Sequence, residues 1–126
     1  MYIRYHVKYS SPKTLQPVGL FVAVWHLVKN DILTKEEVEE YWRKRRYTEE
    51  VLPIPPFYSD SNTIGAVTWF KETDKAKSLL GELSFYFDIL NKYGVDLEMS
   101  RTDNPGQIIY EDDFQVGVLP QHALNI

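Results

Sequence analysis

The chain contains no cysteine. This absence excludes disulfide bonds, thiolate metal sites and a cysteine nucleophile. Chains without cysteine are compatible with a reducing compartment. We therefore predict a cytoplasmic protein.

Long hydrophobic runs are also missing. The longest, Leu20 to Trp25, is far too short to cross a bilayer. The first six residues, Met1 to His6, lack the apolar segment that a signal peptide needs. We expect neither a membrane span nor a signal peptide.

The usual local motifs of catalysis and cofactor binding are absent. There is no glycine-rich phosphate loop and no Gly-x-Ser-x-Gly, and the three histidines, His6, His26 and His122, lack metal-ligand spacing. We expect no cofactor and no metal. The formal net charge of −4 argues against a nucleic-acid-binding protein, which would usually carry a basic face.

What the chain has is enough apolar surface for one core. Its 126 residues are 44% hydrophobic and 14% aromatic, values typical of a single globular domain. No repeat or long linker divides it, so residues 1–126 are predicted to form one domain.

The first half predicts a strand followed by two helices. Residues 2–9 alternate, with Ile3 and Val7 on a buried face and the polar side chains on the other face. From Gly19 the apolar positions follow helical spacing, although β-branched residues keep a strand as the alternative. Thr34 and Glu37 form a capping-box pattern before a helix to about Glu50.

The second half begins with a proline-rich segment, 52–57, that cannot be regular structure. We expect Ile54 and Phe57 to be fixed in the core there. A strand at 66–71 is followed by one long helix, capped by Asp74 and closed by Gly94. Phe85 falls on the polar face of that helix, where it would suit a homodimer contact.

Three strands complete the chain, at 95–102, 107–111 and 114–119, with Val95, Leu97 and Met99 facing inwards. Short turns join these strands, which should therefore be antiparallel. The predicted order is β-α-α-β-α-β-β-β. This is an α+β fold, an antiparallel sheet with helices covering one face.

The strongest candidate for ligand binding is Arg101, which continues the inward series at the end of its strand. A charge at a core rim needs acceptors, and we expect them in Glu111, Asp112 or Asp113. The alternatives are a structural ion pair, which is favoured, and an anion-binding arginine. Lys71 lies at the rim of another strand and would assist in binding the anion.

The densest polar cluster is the segment from Tyr110 to Gln115. Its acids could bind a divalent cation or simply form a turn, and the turn is favoured. Tyr110, Asp112, Asp113 and Gln115 are the predicted ligand-binding residues of this segment. The basic run 43–46 follows acids at helical spacing and is interpreted as a solvated helix face rather than a phosphate site.

Two stretches, Gly65 to Lys71 and Arg101 to Val116, occur together with Pro55-Pro56-Phe57-Tyr58. In this combination the chain resembles a family of small bacterial proteins of no assigned activity. The resemblance covers most of the chain. It implies a bacterial, cytoplasmic protein and supplies no mechanism.

A second similarity is to ADP-ribosyltransferase-like folds. Tyr5-His6 on a first strand, Gly19-Leu20-Phe21 and the late Glu111 are similar to a His-Tyr-Glu arrangement. The sequence departs from that pattern, because residues 19–28 favour a helix and His6 is not followed by the expected small residue and Thr.

Two functional hypotheses follow. The first is a small binding or interaction domain, which would recognise a polar ligand or a protein through Arg101 and the turn of the C-terminal hairpin. The second is an enzyme acting on a nucleotide-like or phosphate-bearing substrate, with Arg101 and Lys71 on the anion and Glu111 as the candidate catalytic base. The second requires these three side chains to converge.

Overall fold

The computed structural model describes residues 1–59, 61–62 and 64–119. The predicted α+β class and element order are confirmed, with two refinements: a short additional strand, and a long helix that is split in two. The elements are β1 (Tyr2–Ser10), β2 (Pro17–Gly19), α1 (Leu20–Lys29), α2 (Lys35–Val51), β3 (Val67–Lys71), α3 (Asp74–Gly81), α4 (Ser84–Lys92), β4 (Glu98–Thr102), β5 (Gln107–Glu111) and β6 (Gln115–Leu119), with a 3-10 turn at Pro56–Tyr58.

Helix α2 begins as its sequence predicts. The Thr34 hydroxyl accepts a hydrogen bond from the Glu37 amide (3.2 Å), and the Glu37 carboxylate accepts one from the Thr34 amide (2.8 Å). The capping box is therefore complete and satisfies two donors that a helix start leaves without intrahelical partners.

The helix predicted from Asp74 to Tyr93 is interrupted between Gly81 and Ser84. Its N-cap is Thr73, whose hydroxyl accepts from the Ala76 amide at 3.2 Å, so the assignment of the cap to Asp74 is wrong. The interruption shifts the helical phase of everything after it. Phe85 consequently packs against the main core cluster, and the expectation that it lies free on a polar face is wrong.

The sheet is built around β1, which has strands on both edges. β4 pairs antiparallel with Tyr2 through His6. Tyr2 and Ile3 also pair with β3, and His6 and Ser10 pair with β2. A strand has two edges, so β2 and β3 share the edge opposite β4 and diverge from each other between Ile3 and His6. Beyond β3 the antiparallel order continues through β6 to β5.

The sheet is curled, as the link between β4 and β5 shows. In a flat sheet these strands would lie four strand spacings apart, about 19 Å, and would also be displaced along their axes. The link has only residues 103–106, and five Cα steps reach at most about 18 Å. The sheet must therefore bend its ends towards each other. β4 lies beside β1 and does not pair with β5, whereas β5 and β6 form the predicted hairpin.

The core lies on both faces of the sheet. On the helix side, Val7, Val24, Leu83 and Leu90 belong to the main cluster. On the other face Val67, Val116 and Val118 form a cluster, with Tyr2 and Trp69 beside it, that contains strand residues only. We attribute its burial to the curl of the sheet.

Burial on this second face corrects the interpretation of β1. Arg4 and His6 were expected on a solvated polar face, yet both are less than a tenth exposed. Two apolar side chains that the sequence predicts to face the core are instead exposed. Ile54 is 58% exposed and Met99 is 54% exposed, whereas Phe57, Val95 and Leu97 are buried or half-buried as predicted.

In the part of the chain that the structure describes, no helix has both the length and the apolar character needed to cross a membrane.

Candidate functional site

The turn of the C-terminal hairpin is organised by Asp112. Its carboxylate accepts from the amides of Phe114 (2.8 Å) and Gln115 (3.1 Å) and from the Tyr110 hydroxyl (2.7 Å). Hydrogen bonds of this kind hold an aspartate in a tight turn. The hydrogen bond to Asp112 raises the pKa of Tyr110 to about 12.

Gln115 links the hairpin to the segment after α2. It is 4% exposed, and its Nε2 donates to the Pro53 carbonyl at 2.7 Å and to the Asp112 carboxylate at 3.1 Å. Its position and contacts are those of a structural residue between β6 and the proline-rich segment.

The other charges of the hairpin pair with lysines. Lys71 Nζ lies 2.5 Å from Glu111 Oε2, and Lys75 Nζ lies 2.7 Å from Asp113 Oδ2. The Lys75 ammonium beside Asp113 lowers the pKa of that carboxyl. Each acid of the turn thus has a partner within the chain.

Arg101 does not reach the acidic turn. Its Nε and Nη2 donate to Glu72 Oε2 at 3.1 and 2.7 Å, so the expected partners Glu111, Asp112 and Asp113 are wrong. Directly opposite residues in a sheet share a face. Arg101 lies opposite Ile3 and Lys71 opposite Tyr2, so the two cations project from opposite faces. Arg101, Lys71 and Glu111 therefore do not converge.

Three of the four basic residues in the run on α2 pair with acids of the same helix. Arg43 and Lys44 contact Glu40, and Arg45 contacts Glu49 at 3.0 Å. Arg45 also stacks on the rings of Trp25 and Trp42. Within the described ranges, no group of three His, Asp or Glu side chains is arranged to hold a metal ion.

An unusual polar residue, Arg4, lies where β2 and β3 leave the same edge of β1. We call this region the sheet fork and define it by Arg4, Pro17, Gly19, Tyr58 and Thr68. The Arg4 Nη2 donates to the Pro17 carbonyl at 2.6 Å. A Cβ added at Gly19 would lie 3.6 Å from the same nitrogen, so the guanidinium lies beside β2.

Two loops meet beside the sheet fork. The Lys13 Nζ, in the loop between β1 and β2, donates to the Ser61 carbonyl at 3.2 Å. A Cβ added at Gly65, just before β3, would lie 3.1 Å from the Lys13 carbonyl. Gly65 also has φ +68°, a conformation that favours glycine. The strands on the two sides of the sheet fork are therefore bridged by direct loop contacts.

Arg4 is 9% exposed, yet among the described residues no carboxylate lies within 4.0 Å of it. Its Nη2 has the Pro17 carbonyl, and its other nitrogens have no protein acceptor there. No buried side-chain nitrogen or oxygen of the described residues lacks a partner, so those nitrogens retain access to solvent. Arg4 is thus a mostly buried cation whose remaining N–H donors are accessible to solvent.

Tyr58 is a neighbour of Arg4 that influences its charge. The hydroxyls of Tyr58 and Thr68 lie 3.4 Å apart. Burial lowers the pKa of Arg4, partly offset by Tyr58. Burial raises the pKa of Tyr58, opposed by the Thr68 hydrogen bond and by the charge of Arg4. Tyr58 is therefore close enough to Arg4 for each to influence the other electrostatically.

His6 lies two residues along β1 from Arg4 but has its own partners. Its Nε2 is 2.7 Å from the Ser100 hydroxyl on β4, and its Nδ1 is 3.2 Å from the Val7 carbonyl. Glu111 is held by Lys71. His6 and Glu111, two members of the His-Tyr-Glu arrangement considered above, therefore have separate partners.

No family model, curated protein or solved structure matches this chain. The resemblance to a family of small bacterial proteins stays a prediction.

Proposed function

We propose that this protein is a binding module for a small ligand that carries an anionic oxygen group, and that Arg4 anchors that group. The observation that carries the proposal is the 9% exposure of Arg4 without a carboxylate within 4.0 Å in the described ranges. A buried charge is costly unless it is paired and hydrogen-bonded. A ligand oxyanion would provide the missing partner.

The chemistry of the sheet fork suits a carboxylate or a phosphate. The N–H donors of a guanidinium lie in one plane, in an arrangement that matches the paired oxygens of a carboxylate or a phosphate. Pro17 occupies one donor of Arg4, and Tyr58 lies close enough to influence the guanidinium electrostatically. Charge-assisted hydrogen bonds in a partly enclosed place are stronger than at an open surface.

This proposal keeps the class of ligand predicted from the sequence but assigns its binding to Arg4 instead of Arg101. The sequence favoured a polar-ligand domain, with a phosphate-bearing substrate as the alternative, and assigned the anion to Arg101. Arg101 is exposed and paired with Glu72, whereas Arg4 is buried and has a carbonyl as its one protein acceptor among the described residues. The candidate base Glu111 pairs with Lys71, so the proposal is one of binding.

The test is a thermal-shift titration with phosphate, pyrophosphate, citrate and acetate, each compared with potassium chloride at equal ionic strength. A ligand that binds the native state raises its stability by about 2.7 kcal/mol at one hundred times Kd. We expect at least one oxyanion to raise Tm, and Arg4→Met to abolish that rise. Comparing the phosphates with the carboxylates separates the two ligand classes.

Arg101→Met is the matched control, since it removes the same charge from an exposed pair. It should leave the oxyanion-dependent rise in Tm unchanged. Arg4→Lys, which keeps the charge but loses the planar fork, should bind more weakly. The proposal fails if no oxyanion stabilises the wild type beyond the chloride control, or if Arg101→Met removes the effect as fully as Arg4→Met.

A further inference from the structure

A second candidate binding surface lies at the outer edge of β4. In the described residues β4 pairs with β1 along Glu98–Thr102 and with no other strand. The opposite edge of β4 therefore presents main-chain donors and acceptors without strand partners. Such an edge can receive an extended polypeptide as an additional strand.

A groove lies directly beside this edge on the helix side of the sheet. It is open to solvent, has a volume of about 400 Å³ and is lined by Tyr5, Phe87, Asn91 and the segment from Val95 to Met99. The rings of Tyr5 and Phe87 meet edge to face at 4.9 Å. Met99, on the strand itself, is 54% exposed. The groove thus offers apolar surface to a side chain arriving along β4.

Among the described residues, the unpaired charges near β4 are acidic, with Asp88 on the helix side of the sheet and Glu98 on the other side. Glu98 begins β4, and Asp88 lies one turn before Asn91 on α4. Neither acid has an ion-pair partner in the described part of the chain, where Asp96 pairs with Lys8 at 3.3 Å and both side chains are well exposed. Such a surface favours a basic partner.

The geometry of β4 determines on which face of the sheet each side chain of such a partner would lie. Successive residues of a strand face opposite sides of the sheet. Met99 lies opposite Tyr5, on the groove side, whereas Glu98 lies opposite His6, on the other side. A strand added to β4 would place one residue in the groove and its neighbour on the side of Glu98.

We propose that the β4 edge binds an extended segment of a partner protein in which apolar and basic residues alternate. The apolar side chain enters the groove beside Met99, and the next residue, a lysine or arginine, contacts Glu98. This inference is independent of Arg4, because it depends on a different edge of β1 and on a ligand of opposite charge.

The experiment uses the full chain and a fluorescein-labelled peptide in which lysine alternates with leucine and valine, with binding followed by fluorescence anisotropy. The main-chain contribution is tested on the peptide. One version carries N-methyl groups on its odd residues and another carries them on its even residues. Only one edge of the added strand faces β4, so one version should lose binding by more than tenfold and the other should retain it.

Side-chain contributions are tested on the protein. Glu98→Gln should weaken binding by about two- to fivefold, the range expected for an exposed ion pair. Met99→Ser should weaken it several-fold, because part of the apolar contact is removed. Asp113→Asn removes an equal charge from a distant surface and should leave the affinity unchanged.

Three outcomes would overturn the proposal. They are no measurable binding of the alternating peptide, equal binding of the two N-methylated versions, and equal binding of a peptide of the same composition with its lysines clustered. The last would show attraction to net charge without a strand register. Because the N-methyl test leaves the protein unchanged, its result does not depend on how well a variant folds.

Discussion

The ring of Phe57 lies directly against Gly117, so that a Cβ added at residue 117 would be 2.5 Å from Cε1 of Phe57 and 2.9 Å from its Cζ. Phe57 belongs to the 3-10 turn at the end of the proline-rich segment, and Gly117 is a central residue of β6. The absent side chain on β6 is what allows the ring to reach the sheet. The position requires glycine for its small volume.

Gly117→Ala is therefore expected to destabilise the protein by about 1–3 kcal/mol, the usual cost of overpacking a filled core. Denaturant unfolding would measure it. Gly81→Ala is the matched control, because nothing lies within 4 Å of a Cβ added there and alanine favours a helix. Equal effects of the two substitutions would contradict the packing of Phe57 on β6.

Stability in acid should depend on Glu37. Hydrogen bonds from Lys92, Tyr93 and the Thr34 amide lower the pKa of this carboxyl to about 2. A carboxyl with a depressed pKa in the folded state stabilises the fold above its unfolded pKa of 4.5, and the stabilisation is lost as pH falls through 2. We expect Glu37→Gln to reduce the slope of Tm against pH between 4.5 and 2.

Glu36→Gln provides the comparison for this measurement. It removes an adjacent acid from the first turn of α2 that has no ion-pair partner in the described residues. Its profile should keep the slope of the wild type. A wild-type slope that survives Glu37→Gln unchanged would show that other carboxyls dominate acid unfolding.

Arg4 should lower the stability of the protein without ligand. Replacing a buried ion pair with apolar residues of similar volume is often neutral or stabilising by about 1–4 kcal/mol, and a buried charge without an ionic partner is costlier to hold than a paired one. Arg4→Met should accordingly raise the free energy of unfolding in a chloride buffer that contains no phosphate or carboxylate. A marked loss of stability instead would indicate that the guanidinium is already well satisfied in the free protein, which would weaken its assignment as a ligand anchor.

Gln115 is predicted to act in the fold rather than in ligand binding. In Gln115→Glu, an acceptor would replace the amide donor that faces the Pro53 carbonyl and the Asp112 carboxylate, in a place that is 4% exposed. We expect a loss of about 2–4 kcal/mol at neutral pH, by loss of the donor and burial of a charge. Mild acid should restore part of it, because a protonated glutamate can donate again.

Gln115→Met removes the donor without adding a charge and should be less harmful at neutral pH. If Gln115→Glu were as stable as the wild type but altered the oxyanion titration, the sequence-based assignment of Gln115 to ligand binding would regain support.

Local signals explain which parts of the fold the sequence predicts. The capping box at Thr34 and the hairpin turn at Asp112 depend on residues three or fewer positions apart. Their hydrogen bonds form within the segment that specifies them. These elements were predicted with little error because no distant part of the chain has to be known.

The misplaced residues depend on long-range contacts. Glu72, the partner of Arg101, is 29 residues away, and the pairing of β4 with β1 spans most of the chain. Nothing near Arg4 in the sequence indicates that β1 is central or that the sheet curls. These two features bury the Arg4 side chain, which the sequence pattern places on a polar face. The alternation of residues 2–9 was interpreted correctly as a strand, but alternation alone does not show how many strands flank it.

The central place of β1 has a consequence for biosynthesis. β1 is made before the strands with which it pairs, because its partner residues follow 67–69 residues later on β3 and 92–100 residues later on β4. At synthesis rates of about 5–20 residues per second, β4 is made on the order of 5–20 seconds after β1. During that time the edges of β1 lack β3 and β4, and unpaired strand edges of this kind favour aggregation. The sheet can close only after the chain up to β6 has left the ribosome.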